Sequence, residues 1–285
     1  MPHDGTIGGA VNDLTAQFAA AGLDTPRLDA RLLVGAAVGL EPSLLFARTD
    51  VALAPEHVTR IASHAARRLR REPVSRILGR REFWGLEFGL NAATLDPRPD
   101  TETLVSSVVG LRETYPGPRR ILDLGTGTGC ILIAILTEWK DASGIGVDIA
   151  PEAVAAARQN AERLGLTARA AFRENNWADG IDEQFDLIVS NPPYIAQHEA
   201  ASLAPDVALY DPPAALFAGA DGLAAYRALI PAAKPRLAPG GRLLLEIGAT
   251  QAEAVENLLR GSGFAPESRI SDLGGKTRVL VARPG

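Results

Sequence analysis

From Arg119 onward, short apolar runs with strand character alternate with helical stretches, and this alternation restricts the fold more than any other feature of the chain. Ile121-Leu122-Asp123-Leu124 predicts a buried strand, followed by a glycine-rich turn and a helix over Cys130–Trp139. Gly144–Val147 predicts a strand that ends in Asp148, and Pro151, suited to a first helical turn, opens a helix to Leu164. Strands are expected at Ala170–Phe172, Phe185–Ser190, Arg242–Ile247 and Thr277–Ala282, with helices at Leu223–Leu237 and Gln251–Leu259. Repeated β-then-α units of this kind close into a mostly parallel, doubly wound α/β sheet.

The first 72 residues carry no such alternation. Val11, Leu14, Phe18 and Ala21 recur at helical spacing, as do Leu28, Leu32, Leu33 and Ala36, and then Val58, Ile61, Ala65 and Leu69. A small bundle of three to five short helices is expected over residues 1–72. Residues 73–100 change character again. Val74–Gly79 and Glu82–Phe88 read as a β-hairpin with a glycine-containing turn, and Asp96-Pro97-Arg98-Pro99-Asp100 as a linker. Asp100 or Thr101 is placed to cap a helix over Glu102–Leu111. Residues 101–285 then form the α/β domain.

Bulk properties narrow the class. A net charge of -5 lacks the basic excess of a duplex-binding protein. One basic cluster remains, Arg67, Arg68, Arg70 and Arg71 with Arg76, Arg80 and Arg81, expected as a solvated helix face or as a contact for an acidic or RNA-bound partner. The single cysteine, Cys130, excludes an internal disulfide, and a reducing compartment is expected. The amino-terminal residues lack the basic and apolar regions of a secretory signal, and the apolar runs are shorter than the ~20 residues of a membrane span. A cytoplasmic enzyme is the expectation.

Two loops carry the chemistry. Asp123-Leu124-Gly125-Thr126-Gly127-Thr128-Gly129 lies between a strand and a helix, where glycine lets a ligand approach the backbone. The dinucleotide fingerprint G-x-G-x-x-G places its last glycine or alanine where this chain has Cys130, which argues against a dehydrogenase. Asp148, ending the next strand, can accept from both hydroxyls of a ribose, and is equally placed to cap the helix beginning at Pro151. The second loop is Asn191-Pro192-Pro193-Tyr194. Its prolines cannot continue a central strand, and neither has an N–H. A planar NH₂ group docked there would donate to the Asn191 side-chain oxygen and to the Pro192 carbonyl, with Tyr194 against its flat face. The nitrogen lone pair would then face an electrophilic methyl on a sulfonium cofactor. Orientation of that kind is worth up to roughly 7–11 kcal/mol.

These motifs, with Glu72-Pro73-Val74, Ile77-Leu78-Gly79, Glu82-Phe83-Trp84-Gly85, Arg98–Glu102, Val147-Asp148-Ile149, Ser190–Ile195, Asp221-Gly222, Leu244–Gly248 and Asp272-Leu273, resemble the peptide chain release factor glutamine methyltransferases over nearly the whole chain. The resemblance implies a class I methyltransferase (Rossmann-like) domain preceded by a small all-α bundle for substrate recognition and a β-hairpin linker. It implies methyl transfer from S-adenosyl-L-methionine to the N5 of the glutamine in the Gly-Gly-Gln motif of class I release factors, with no metal. By the same resemblance Gly125, Thr126, Gly127, Thr128, Gly129, Asp148, Asn176, Trp177 and Asn191 contact the cofactor. Asn191, Pro192, Pro193 and Tyr194 bind the glutamine, with Asn191, Pro192 and Tyr194 catalytic. The chain departs from the family in having Asp100 where Glu is usual and Asn176 where some relatives have Asp; an Asn still accepts from an adenine amino group.

The proline loop is shared with amino-methyltransferases acting on nucleic-acid bases, which stay as an alternative, as does a non-catalytic cofactor-binding module. No stable nucleic-acid or membrane binding is expected. Cys130 is expected as a packed small side chain. His3, His57, His64 and His198 lack metal-ligand spacing, with His57 and His64 on a helix surface. Glu246 is placed either to orient substrate or to make a structural hydrogen bond, and Arg98 to approach the cofactor carboxylate.

Overall fold

A computed structural model of the chain describes residues 5–111 and 117–285; His3 lies outside them. The chain divides into two compact units, one comprising the residues up to Gly79 together with Ala204–Tyr210, the other comprising Arg80–Leu203 and Asp211–Gly285.

The first unit is helical. α1 (Ile7–Ala20) is capped by the Thr6 hydroxyl, which accepts from the Gly9 N–H at 3.1 Å. α2 (Pro26–Val38) and α3 (Pro55–Leu69) each begin with proline at the first turn, and Gly39 ends α2 in the left-handed conformation. Leu14, Phe18, Leu33, Ile61 and Ala65, read from the helical spacing, form the core together with Val34, whereas Leu28 and Leu69 of the same pattern are exposed. The unit ends later than expected, because Val74–Leu78 is a helix, α4, rather than the first hairpin strand. Five residues, of which only Val74, Ile77 and Leu78 are apolar, are too few to show a period that separates helix from strand. Gly79, at φ +69°, ends it, and Ile77 packs into the helical core. A later segment, α8 (Pro205–Tyr210), also belongs to this unit.

The basic cluster divides: Arg70 and Arg80 are exposed, whereas Arg67, Arg68 and Arg71 are held by partners within the unit. Arg68 is buried between Asp29 at 2.7 Å and Asp206 at 2.8 Å. Arg67 pairs with Glu72 and donates to the carbonyls of Arg76 and Ile77, and Arg71 donates to the carbonyls of Ala21 and Gly22. Neither a solvated face nor an open cationic patch describes Arg67 and Arg68. Burial lowers the pKa of His64, whose ring N–H donates to the Leu33 carbonyl; His57 and His64 are half-buried rather than on the surface.

The second unit opens with the hairpin β1 (Arg80–Phe83) and β2 (Leu86–Gly89). Trp84 and Gly85, both at positive φ, make its two-residue turn. α5 (Glu102–Gly110) follows, with no side-chain cap from Thr101. The expected cap is absent because both candidates are engaged elsewhere: Asp100 pairs with Arg278 at 2.7 Å, and Thr101 faces Asn191.

The remaining strands are β3 (Arg120–Leu124), β4 (Ser143–Asp148), β5 (Ala170–Glu174), β6 (Phe185–Ser190), β7 (Leu237–Glu246), β8 (Phe264–Ser271) and β9 (Thr277–Pro284), in the order β5-β4-β3-β6-β7-β9-β8. The first five strands in this order run parallel; β9 runs antiparallel to both β7 and β8. α6 (Cys130–Glu138) and α7 (Pro151–Arg163) pack with α5 on one face. α9 (Pro213–Leu216) precedes α10 (Ala224–Ala233), which packs with α11 (Ala252–Gly261) on the other face. Alternation sorts the strand residues: Ile121, Val189 and Leu244 face the first layer, and Leu122, Ile188, Leu243 and Leu245 the second. β8 has no counterpart in the expected pattern. Its Phe-Ala-Pro-Glu-Ser-Arg stretch contains a proline that only a sheet edge with a bulge accepts, and it has both here.

Candidate active site

The order of the sheet reverses between β3 and β6. The chain moves outward from β3 through β4 to β5, then returns to place β6 on the other side of β3. Ligands bind at the carboxyl ends of strands beside such a reversal. The glycine turn leaves β3 and the Asn-Pro-Pro-Tyr loop leaves β6, so the topology sets the two loops side by side. The buried Ser190 hydroxyl donates to the Leu124 carbonyl at 2.6 Å and ties the two strand ends together.

A solvent-open cleft with about 970 Å³ of empty space lies there. Gly125, Thr126, Gly127, Thr128, Asp148, Trp177, Asn191 and Pro193 line it. Among the residues expected at the site, Gly129, Asn176, Pro192 and Tyr194 are not on its lining. Gly129 acts one layer back: at φ +80° it starts α6, and a Cβ there would meet the Phe172 ring at 3.1 Å. Asn176 is exposed and donates to Asp179, and it is Asn175 that lines the cleft. The Asn175 side chain donates to the Trp177 and Asp179 carbonyls at 2.9 Å and so holds Trp177 at φ +51°, a conformation uncommon for a bulky residue. Two adjacent asparagines are indistinguishable by sequence spacing; the turn geometry separates them.

Asp148 is half-buried. Its carboxylate accepts from the Gly127 N–H at 2.9 Å and from the Ala150 N–H at 3.0 Å. Each oxygen keeps a lone pair for a ribose hydroxyl. Below it, Asp123 is fully buried and accepts from Thr126 at 2.7 Å; burial pushes its carboxyl up to about 7. Cys130 borders the cleft, yet burial drives its thiol up to about 12, so it stays protonated and packs. Arg98 lines the cleft but pairs with the buried Asp211.

The acceptor loop is braced from behind. Pro192 is buried, and the half-buried Tyr194 packs against the α10–α11 core, where burial raises its phenol to about 12. Gln251 donates to the carbonyls of Tyr194 and Gly222 and accepts from the Gly248 N–H. A Cβ on Gly222 would lie 2.4 Å from the Tyr194 carbonyl, so only glycine fits there. Asn191 donates through Nδ2 to the Thr101 hydroxyl at 3.0 Å. The bracing roles of Thr101, Gln251 and Gly222 escaped the sequence reading because no local spacing links them to the motifs they serve.

The residues present suit a nucleoside-bearing cofactor: a glycine cradle, a carboxylate with free lone pairs and an aromatic ring on one cleft. Among the described residues no cluster of His, Cys, Asp and Glu could hold a metal, and no helix is long and apolar enough to cross a membrane.

Residues 118–259 match the family described as Methyltransferase domain, and residues 9–79 match the PrmC N-terminal domain. A release factor glutamine methyltransferase of Rhodospirillum rubrum is 49% identical over 92% of this chain and 80% of its own length. One of Bradyrhizobium diazoefficiens is 46% identical over 98% of this chain and 95% of its own. The crystal structure of a methyltransferase from Pyrococcus furiosus shares the fold, with a TM-score of 0.52 and 18% identity over 78% of this chain and 98% of that one. With a doubly wound sheet, a glycine cradle beside an Asn-Pro-Pro-Tyr loop and full-length relatives at this identity, the chain belongs to the release factor glutamine methyltransferase family.

Proposed function

We propose that this protein transfers a methyl group from S-adenosyl-L-methionine to the N5 amide nitrogen of the glutamine in the Gly-Gly-Gln motif of class I release factors. The observation that carries the proposal is that Asn191 and Pro193 line the same cleft as Gly125–Thr128, Asp148 and Trp177. The cofactor, when bound, supplies a methyl group on a positively charged sulfur. Gly125, Thr126, Gly127, Thr128, Asp148 and Trp177 are the residues that would hold it, with Gly129 shaping the turn from behind.

The acceptor loop deals with a weak nucleophile. A carboxamide lone pair is delocalised, so its nitrogen attacks only when developing positive charge on its hydrogens is stabilised. The Asn191 side-chain oxygen and the Pro192 carbonyl are the two acceptors assigned to those hydrogens. They sit on a loop stiffened by two prolines and braced by Gln251 and Gly222, so little reorganisation is needed. No strong base is required before attack, because the amide proton becomes acidic once the nitrogen is cationic. The helical unit, the residues up to Gly79 with Ala204–Tyr210, is assigned to recognition of the protein substrate, a role expected of residues 1–72, and the setting is assigned to the cytoplasm.

Incubation with methyl-labelled S-adenosyl-L-methionine and either an intact class I release factor or bulk DNA tests the reading. Label on the release factor, with a one-methyl mass shift on its Gly-Gly-Gln peptide, is the expected result. Label on DNA alone overturns it.

A further inference from the structure

Leu273, in the turn between β8 and β9, is fully exposed. A lone apolar side chain on a surface needs no explanation by itself. Two features set this one apart: its turn is held rigid, and it is tied to the acceptor side of the cleft.

The turn closes on itself. The Asp272 N–H donates to the Lys276 carbonyl and the Gly275 N–H to the Asp272 carbonyl, each at 2.9 Å. Asp272 Oδ1 accepts from the Lys276 N–H at 3.0 Å, and Gly275 takes φ +76°, which glycine alone adopts freely. Arg278 joins this turn to the site. Its Nε donates to Asp272 Oδ2 at 2.9 Å, and a terminal nitrogen lies 2.7 Å from an Asp100 oxygen. Asp100 precedes Thr101, whose hydroxyl accepts from Asn191 at 3.0 Å. Short polar contacts therefore run from the turn to the acceptor loop.

The sheet register puts both on one edge. Ser190 pairs with Leu245 and Leu245 with Leu280, and the Ile247 N–H donates to the Arg278 carbonyl at 2.8 Å. β9 thus begins where β6 and β7 end, and the turn before it projects beyond the carboxyl edge on which the cleft opens. The glycine cradle and Asp148 leave β3 and β4, on the opposite side of β6. The turn stands on the side of Asn191 away from the cofactor residues.

We propose that Leu273 is a substrate-contact residue, taking an apolar side chain of the acceptor protein a few residues from the reacting glutamine. This rests on the acceptor role given to the Asn191 loop above. β6 and β9 are two strand spacings apart in the sheet, roughly 10 Å. An extended chain advances about 3.3 Å per residue, so a glutamine seated at Asn191 brings a residue about three to five positions away to the turn. The contact is apolar because a leucine side chain has no donor or acceptor to offer. The clamp through Arg278 fixes the turn before the acceptor arrives, which lowers the ordering cost of binding.

The test is steady-state methyl transfer to an intact release factor by Leu273→Asp, Leu273→Ala and Leu273→Met. A fully exposed side chain carries little of the fold, so the three are expected to melt with wild type. Leu273→Asp is expected to raise KM for the release factor about tenfold, and Leu273→Ala by less, with kcat and the cofactor dissociation constant within about threefold of wild type. Leu273→Met, which keeps the apolar contact, is expected to stay within about twofold in KM. In a second measurement, p-benzoylphenylalanine in place of Leu273 is irradiated with the release factor and S-adenosylhomocysteine. Adducts are expected within about five residues of the Gly-Gly-Gln glutamine. An unchanged KM in Leu273→Asp, a loss confined to kcat, or adducts elsewhere on the release factor overturns the proposal. Wild type that labels no release factor overturns the proposed function, whereas wild-type labelling with an unmoved KM overturns this inference alone.

Discussion

The two sides of the cleft are built on different principles. On the β3–β4 side, the ligand-facing surface is backbone: glycines, N–H groups and one carboxylate already held by the N–H groups of Gly127 and Ala150. On the β6–β7 side it is side chains: Asn191 bonded to Thr101, and a loop fixed by Gln251. A cofactor that is always the same molecule suits a rigid backbone mould, which costs no side-chain entropy on binding. An acceptor that arrives on a partner and reacts needs donors and acceptors of defined polarity, and only side-chain relays specify which end of a carboxamide faces inward.

That contrast is open to breaking. The largest effect is expected on the side-chain half: Asn191→Ala lowers turnover by about 10²–10³-fold, the scale of losing one preorganised charge-stabilising contact. Near-normal single-turnover rates would remove Asn191 from catalysis. On the backbone half, Asp148→Ala is expected to weaken cofactor binding more than tenfold by calorimetry. An unchanged affinity would show that the ribose role belongs elsewhere.

Two glycines sharpen the comparison within the mould itself. Gly129→Ala forces a Cβ at φ +80° into the Phe172 ring and is expected to cost about 1–3 kcal/mol of stability in urea. Gly127→Ala meets nothing within 4 Å, so it is expected to cost about 1–2 kcal/mol through its positive φ alone and to act mainly on cofactor affinity. Equal stability losses for the pair would mean that the turn is not close-packed as described.

A further expected effect is electrostatic. Asp123 and Glu246 both have carboxyls raised to about 7 by burial, one on each side of the cleft. The native state then holds protons that the unfolded chain has released between about pH 4 and 7. For these two groups stability is greatest at the acid end of that window and falls as pH rises through 7, by up to about 1.4 kcal/mol per pH unit for each. Glu246→Gln is expected to remove one of the two contributions, so its stability relative to wild type is higher at pH 8 than at pH 5. Urea midpoints at the two pH values check this; parallel pH dependences would place the Glu246 pKa in the ordinary range in both states.

The legibility of the two halves follows the same division. The glycine turn, Asp148 and the strand–helix alternation were readable because each is local, with period, turn chemistry and strand end lying within a few residues of one another. β6 ran from Phe185 to Ser190 as expected, because a buried strand closed by two prolines has only one place to stop. Asn175 and Asn176 show the limit of that reasoning, since which of two neighbours faces the cleft depends on the left-handed turn at Trp177. Arg68 departs from the solvated face for the opposite reason. Charge along a helix suggests solvent, but Arg68 meets Asp29 and Asp206, which lie far from it in the chain.

The sequence by itself determined most of the elements, the parallel sheet, the family and the two loops that face each other, because hydrophobic period and turn residues are short-range properties. Only the tertiary structure decided that Thr101 is not a helix cap but the partner of Asn191, and that Gln251 ties Tyr194 to Gly222. Those are hydrogen bonds between residues dozens of positions apart. Their partners are chosen by which strand ends the sheet brings together, and burial then makes each unmet donor or acceptor too costly to leave alone.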